Sequence, residues 1–291
     1  MQAKAIFWQA LTPVHSGTGQ DSSSVIDLPV AREKSTGFPV IPASSIKGVL
    51  RDGRGLKNDE EYKPEELEAA LKARKTFGFA GKRKQTDDQF EDISQAGELT
   101  LTDARLLLLP VRSYAGSFAL ITCPLVLQRW LRDAQALDAG VTLPGLNAPG
   151  GVQVFVTSSS QIKPGNKVIL EDIDLDILGI ADGLANALSQ AIFGQEEPYF
   201  LERFALVSND VFTYFCETGM EVIARVRLES ETKTVVGGAL WYEEAVPAEA
   251  VFSCFALSKA NDFDEVMQKP YLQIGGKGSV GRGLLRRLGG E

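Results

Sequence analysis

A single histidine, His15, serves the whole chain, and only three cysteines, Cys123, Cys216 and Cys254, are scattered along it. One histidine excludes an acid–base nuclease built on a pair of them. It leaves a serine triad dependent on His15 with Asp27 and Ser44 or Ser45, and no nucleophile-elbow pattern surrounds either serine. Three distant cysteines without a CxxC pair support neither a zinc site nor a disulfide framework. They read as small core residues in a reducing, cytoplasmic compartment. No apolar run approaches a membrane span, because the longest, Phe118 to Leu127, is broken by Thr122 and Pro124. The first residues lack the apolar stretch of a secretion signal, so neither export nor a membrane is expected.

What is present is an ordinary core and an uneven charge. Hydrophobic residues make up 44% of the chain, enough to bury a core, and the segment 1–291 reads as a single domain with insertions. The net charge of −8 argues against a nucleic-acid partner until its distribution is considered. Residues 1–57 hold seven Lys/Arg against four acids, and residues 269–291 hold five against one, so all the negative excess lies between them. If the two ends meet, they place a basic surface on an acidic body.

The strongest local signal lies near the C-terminus. Gly275-Gly276-Lys277-Gly278-Ser279-Val280-Gly281-Arg282-Gly283 is a glycine-rich loop with interleaved cations. Glycines let a backbone approach a ligand closely, and exposed amides suit phosphate oxygens. The loop contains G-x-G-x-x-G, but a dinucleotide fold needs a full helix and a second strand after it, and the sequence runs only to Glu291. The competing reading is a plain glycine turn before a last strand, Leu284 to Leu288.

Periodicity predicts a mixed chain. Strands are expected over Ala3–Leu11, Glu98–Val111 (a strand pair or one long strand), Arg203–Ser208, Glu221–Glu229, Ala239–Ala245 and Val251–Leu257. Helices are expected over Lys63–Lys75, Leu125–Leu137 behind Pro124, Ile180–Phe193 and Asp210–Cys216. A further helix starts near Ile46, capped by Ser44 or Ser45, with Lys47, Arg51 and Arg54 on one face. Such a face is either solvated or meets an anion. Val152–Thr157 and Lys167–Ile177, joined through Lys163-Pro164-Gly165-Asn166, read as a β-hairpin. The polar segment 80–92 reads as disordered. Helices and antiparallel strands are mixed rather than alternating, which is an α+β pattern.

Three segments together carry a family resemblance. They are Thr12-Pro13-Val14-His15-Ser16-Gly17-Thr18-Gly19, the stretch from Ile26-Asp27-Leu28-Pro29 through Arg32-Glu33 to Ile46-Lys47-Gly48-Val49-Leu50-Arg51, and the terminal glycine loop. Gly238-Ala239-Leu240-Trp241-Tyr242-Glu243-Glu244 adds to it. The chain resembles the RAMP superfamily, and within it the multi-copy backbone subunit of the type III-B (Cmr) CRISPR effector. The resemblance runs almost end to end.

That resemblance implies a ferredoxin-like (RRM-like) core with long insertions, among them a β-hairpin thumb. The candidate thumb is 150–177, with 80–92 as its rival. It implies a filament of copies along a CRISPR RNA, together with other subunits of the complex, and cleavage of a complementary target RNA at regular intervals. The position of the family's catalytic aspartate falls on Asp27, whose other reading is a turn residue. His15 is a helper or a plain loop residue. Glu243 and Glu244 point to opposite faces of a strand, so at most one would be a second carboxylate. Lys47, Arg51 and Arg54 on the helix, and Lys277, Ser279 and Arg282 in the loop, are implied RNA contacts. A weakly held Mg²⁺ or Mn²⁺ near Asp27 is expected, since Mg²⁺ takes few protein carboxylates. The alternative is a non-catalytic subunit that only holds guide RNA, or a stand-alone guide-processing nuclease, which one histidine supports poorly.

Overall fold

A computed structural model describes residues 1–17, 26–53, 64–79, 82–84, 90–92, 94–145, 147–229, 231–232, 234–260 and 263–289. The first part of the chain forms β1 (Gln2–Ala10), β2 (Val40–Ile41), α1 (Ala43–Asp52), α2 (Pro64–Phe77), β3 (Lys82–Lys84), β4 (Phe90–Asp92), β5 (Leu99–Leu101), β6 (Ala104–Arg112) and β7 (Phe118–Thr122). The middle forms α3 (Pro124–Ala136), β8 (Gln153–Val156), β9 (Lys167–Leu170), β10 (Ile173–Ile180), α4 (Asp182–Phe193), α5 (Pro198–Leu201), β11 (Phe204–Val207) and α6 (Asn209–Thr218). The last part forms β12 (Glu221–Leu228), β13 (Val235–Ala245), β14 (Val251–Ser258), α7 (Asp264–Met267), β15 (Tyr271–Gln273) and β16 (Leu284–Leu288).

Among the described residues, one large mixed sheet runs β15-β16-β1-β14-β6-β7-β11-β8-β10-β9, with β2 on β6 and β5 on β14. Its central strands are apolar on both faces. Ile6 to Ala10, Leu106 to Val111 and Val251 to Ala256 are buried without interruption. A strand covered on both sides loses the alternation of a half-exposed one. Helices α1, α3, α4 and α6 bury Ile46 and Leu50, Leu127 and Trp130, Leu188 and Ile192, and Phe212 and Phe215 in the same core. The α3 start is as expected, with Pro124 in the first turn, where its missing N–H costs nothing.

The two chain ends do meet. β16 lies antiparallel on β1, pairing Phe7 with Leu288 and Gln9 with Arg286. Two local expectations are corrected. Helix α1 starts at Ala43 with no side-chain cap from Ser44 or Ser45, and the Ala43 amide instead donates to Asp103 Oδ1 at 2.8 Å. A cap supplied sixty residues away is invisible to a local rule. The strands at 152–157 and 167–177 do not form a hairpin with each other. β8 pairs in parallel with β10, and the reversal falls at Glu171-Asp172 between β9 and β10. The segment is part of the large sheet, because strand propensity specifies extended backbone but not a partner. Within 80–92, Lys82–Lys84 and Phe90–Asp92 pair antiparallel as a small ribbon, and the intervening 85–89 lie outside the described residues.

A second two-stranded ribbon stands apart from the large sheet. β12 and β13 pair from Glu221↔Ala245 to Leu228↔Val235. One face of it, with Val222, Val226, Leu240 and Tyr242, is solvent-exposed.

Candidate functional site

The base of the β12–β13 ribbon is where the singled-out residues converge. The outer edge of β13 would present unpaired peptide groups, which cost free energy unless bonded. Segments from both early loops satisfy them in turn. The Tyr242 amide donates to Asp27 Oδ2 at 2.8 Å, and the Tyr242 carbonyl accepts from the Leu28 amide at 3.1 Å. The Glu244 amide donates to the Leu28 carbonyl at 3.0 Å, and the Glu244 carbonyl accepts from His15 Nδ1 at 2.7 Å. Val14 and Val246 then exchange both backbone bonds at 2.9 Å. A carbonyl only accepts, so Nδ1 carries the proton and the lone pair of a neutral His15 ring sits on Nε2. Gly17 lies against that Nε2, in a space a Cβ would fill.

Glu243 and Glu244 face opposite ways, as their adjacency requires, and both are buried, at 2% and 4% exposure. Glu244 Oε1 meets Arg32 Nη2 at 2.5 Å, and its Oε2 accepts the Val30 amide at 2.9 Å. Arg32 also donates to the carbonyls of Gly37 and Cys216. Glu243 faces Lys277, with which it forms an ion pair, and Arg225 Nε stands 3.6 Å away. Neither acid is directed at Asp27 by these bonds. Both tie the ribbon base to its surroundings.

The glycine loop docks on the same place. Gly283 donates to the Pro13 carbonyl at 2.9 Å, and Gly275 packs on the His15 carbonyl so closely that a Cβ would collide with it. Gly275, Gly281 and Gly283 all have positive φ. Residues Gly278–Val280 make one 3₁₀ turn that leaves Ser279 exposed. Lys277 and Arg282 are ion-paired, half-buried cations. Arg282 Nη1 holds Glu221 Oε2 at 3.0 Å, so both loop cations grip the ribbon. The loop leaves β15, the strand against which α1 packs. Lys47 donates to the Leu99 carbonyl at 3.1 Å, and its ammonium is held below its ordinary pKa by burial and then by the Arg51 charge. Arg51 is exposed, and Arg54 lies outside the described residues.

Arg225 and Glu221 belong to this construction and carry no sequence signal of their own, while Arg32 and Tyr242 lie in segments that carry the resemblance without a role attached to either. Glu33 anchors a second network, accepting Arg129 in a fork at 2.8 Å from each nitrogen and forming an ion pair with Arg105, whose Nε stands 3.1 Å away. Burial would raise the Glu33 pKa, but the Arg129 and Thr36 hydrogen bonds and the charges of Arg129 and Arg105 outweigh it and leave it lowered.

Among the described residues, no three His, Cys, Asp or Glu side chains gather into a metal cage. The donor set at Asp27 is one carboxylate whose Oδ2 is shared with the Tyr242 amide. Such a set fits a hydrated Mg²⁺ that draws its other ligands from water and a substrate phosphate, and does not fit an ion held by protein alone.

An early loop and a late glycine loop, clamped on the base of a free ribbon beside a large mixed sheet, define a family architecture. A family model described as the RAMP superfamily matches residues 9–286, and the chain belongs to that superfamily. The chain is 37% identical to the CRISPR system Cmr endoribonuclease Cmr4 of Pyrococcus furiosus, over 98% of this chain and 95% of that protein. It is 22% identical to the CRISPR system CMR subunit Cmr4 of Saccharolobus solfataricus, over 97% and 94%. Oligomeric Cmr4 from Pyrococcus furiosus superposes with a TM-score of 0.71 at 30% identity, covering 99% of this chain and 98% of that one. A chain of the type III-B Cmr-beta complex bound to cognate target RNA shares the fold, with a TM-score of 0.71 at 19% identity over 99% and 97%. No described helix is long and apolar enough to cross a membrane.

Proposed function

We propose that this protein is a multi-copy backbone subunit of a type III-B CRISPR effector, which binds CRISPR RNA and cleaves complementary target RNA. The observation that carries the reading is the near-full-length likeness to the Cmr endoribonuclease, with Asp27 and His15 brought together on one strand edge. The core is read as ferredoxin-like. The β12–β13 ribbon, rather than 150–177, is read as the thumb. It is paired apart from the large sheet, it exposes Leu240 and Tyr242, and its base carries the site. The other partners are copies of the same chain and further subunits of the complex.

The chemistry follows from the substrate. RNA carries its own nucleophile, the 2′-OH, so the protein must place that oxygen in line with the leaving 5′ oxygen and stabilise charge on the phosphorane. The 2′-O–P bond forms and the P–O5′ bond breaks, leaving a 2′,3′-cyclic phosphate and a 5′-OH. Asp27 is fixed at the ribbon base by the Tyr242 amide, which presents Oδ1 as the acceptor that orients the 2′-OH. His15, with its proton held on Nδ1, offers Nε2 as a helper. Asp27 would hold a Mg²⁺ or Mn²⁺, which when bound supplies positive charge beside the phosphate. Lys47, Arg51, Arg54 and Ser279 are read as backbone contacts to guide RNA, independent of sequence. Lys277 and Arg282 act first as clamps on the ribbon. Pairing between guide and target supplies specificity.

The test is cleavage of a labelled complementary RNA by the reconstituted complex, native beside Asp27→Ala, with target binding measured in the same samples. Normal binding without cleavage supports the nuclease reading. Equal cleavage by both overturns the role of Asp27. Binding without cleavage by the native complex makes the chain a scaffold.

A further inference from the structure

Among the described residues, β12 pairs only with β13, and its other edge meets no strand. Where its free peptide groups lie follows from the ladder. The backbone groups of Tyr242 and Glu244 point away from β12, toward Asp27 and Leu28. The residues opposite them are then non-hydrogen-bonded partners, whose own groups point away from β13. Those residues are Ala224 opposite Tyr242, Val222 opposite Glu244 and, one step on, Val226 opposite Leu240. Their N–H and C=O groups line the outer edge, and the side chains of Val222 and Val226 are exposed beside them.

Such an edge is a template for another strand unless something blunts it. The stretch 222–226 has no proline, and the ladder irregularity falls beyond it, between Val226 and Leu228. Its one charged residue, Arg225, is turned to the buried Glu243, 3.6 Å away.

The pattern of the edge names its partner. A two-fold axis through Ala224 sets β12 antiparallel to itself. Ala224 then meets the partner's Ala224, and Val222 meets the partner's Val226. Every outward-pointing residue faces another, so all these backbone groups are bonded. At each end Glu221 comes opposite the partner's Arg227. Glu221 holds Arg282 and still has a side chain 38% exposed, while Arg227 is exposed and has no carboxylate partner among the described residues. Other registers do worse. An axis at Val226 sets Arg225 against the partner's Arg227, and an axis at Arg225 sets that arginine against itself, and like charges directly opposite are destabilising. An axis at Ile223 or earlier carries Val226 past the start of the strand at Glu221.

We propose that two copies of the unassembled chain dock through their β12 edges, about a two-fold axis at Ala224, and join their ribbons into one sheet. The inference rests on strand pairing and not on the cleavage reading.

The experiment uses the full chain without RNA, with sedimentation velocity over a range of concentrations to read the balance of monomer and dimer. The variants are Ala224→Pro, which loses an outward N–H and no bond to β13, Arg227→Glu and Glu221→Arg. Thermal unfolding confirms that each is folded. The native chain should form a reversible, concentration-dependent dimer, and Ala224→Pro should be a monomer. Arg227→Glu should dissociate about tenfold more readily, since both flanking pairs become like charges. Glu221→Arg, which also gives up the Arg282 contact, should do the same alone. Mixing these two variants should restore the dimer, because each mixed pair again sets Glu against Arg at both flanks. If Glu221→Arg does not fold, Ala224→Pro and Arg227→Glu decide the matter. A chain that is monomeric at every concentration overturns the proposal, and if its RNA binding weakens in Ala224→Pro the edge belongs to RNA instead. Association that Ala224→Pro leaves intact also overturns it, by placing the contact on another surface. A dimer lost in Ala224→Pro but unchanged in Arg227→Glu would overturn the register at Ala224.

Discussion

Asp27 Oδ2 accepts the Tyr242 amide at 2.8 Å, and two residues further along the same edge of β13 the Glu244 carbonyl accepts His15 Nδ1 at 2.7 Å. Both side chains close the edge of a strand, and both are candidates for chemistry. A substitution at either position therefore acts on geometry and on reactivity together, and the choice of replacement decides which is measured.

For Asp27 the two roles separate by isostere. Asparagine keeps an oxygen to accept the Tyr242 amide and loses the negative charge, while alanine loses both. Asp27→Asn should unfold in urea like the native protein, and Asp27→Ala should lose about 1 kcal/mol, one exposed-edge hydrogen bond. Both should bind target RNA and fail to cleave it. Cleavage retained in Asp27→Asn would mean that the residue acts by shape alone.

Glu244 is a clamp. Its carboxylate is buried between Arg32 and the Val30 amide. Glu244→Ala leaves Arg32 Nη2 and the Val30 amide without their acceptor and should cost roughly 3 kcal/mol in denaturant unfolding, at the low end for a broken buried pair because Arg32 is partly exposed and keeps the Gly37 and Cys216 carbonyls. Glu244→Gln should lose less, because its amide oxygen still accepts one bond. A second carboxylate at the reacting phosphate would show the opposite order, with cleavage lost in Glu244→Gln while stability is kept.

Acid sensitivity should trace to Glu33. Burial raises its pKa, but Arg129, Thr36 and Arg105 outweigh that, so the folded value lies below the ordinary 4.5. Its contribution to stability is then fully present above the unfolded value and fades as pH falls through the folded one. The urea midpoint of the native protein should drop between neutral pH and pH values below 4.5, and Glu33→Gln should flatten that drop while lowering the midpoint at pH 7. An unchanged slope in the variant would place the acid sensitivity elsewhere.

The cations should divide into two classes. Arg51→Ala should weaken guide RNA binding and reduce the salt slope by roughly 0.7, as expected for one lost phosphate contact on a single strand. Lys277→Ala should instead destabilise the protein, because Glu243 is buried with Arg225 as its remaining cation. Salt-dependent binding combined with urea unfolding resolves the two. If Lys277→Ala changed only the salt slope, the loop would be a plain phosphate cradle. Gly283→Ala should fail in either assay, since its φ is +78° and a Cβ would strike the Ile274 carbonyl.

The sequence by itself determined the composition of the core, the presence of most elements and the family. Apolar periodicity and Pro124 placed α3 almost to the residue, at Leu125–Leu137 expected against Pro124–Ala136 observed. The early and late motifs that carried the resemblance are the segments that the fold brings together. Only the tertiary structure decided partners. Strand propensity does not choose a neighbour, so β8 pairs with β10 rather than with β9. A cap can come from Asp103, sixty residues from the helix it serves. The charges of Lys277 and Arg282 are answered by Glu243 and Glu221, far away in sequence. Residue type and spacing are local quantities. Which donor meets which acceptor, and whether a carboxylate is a ligand or a clamp, depends on contacts that close only when the chain does.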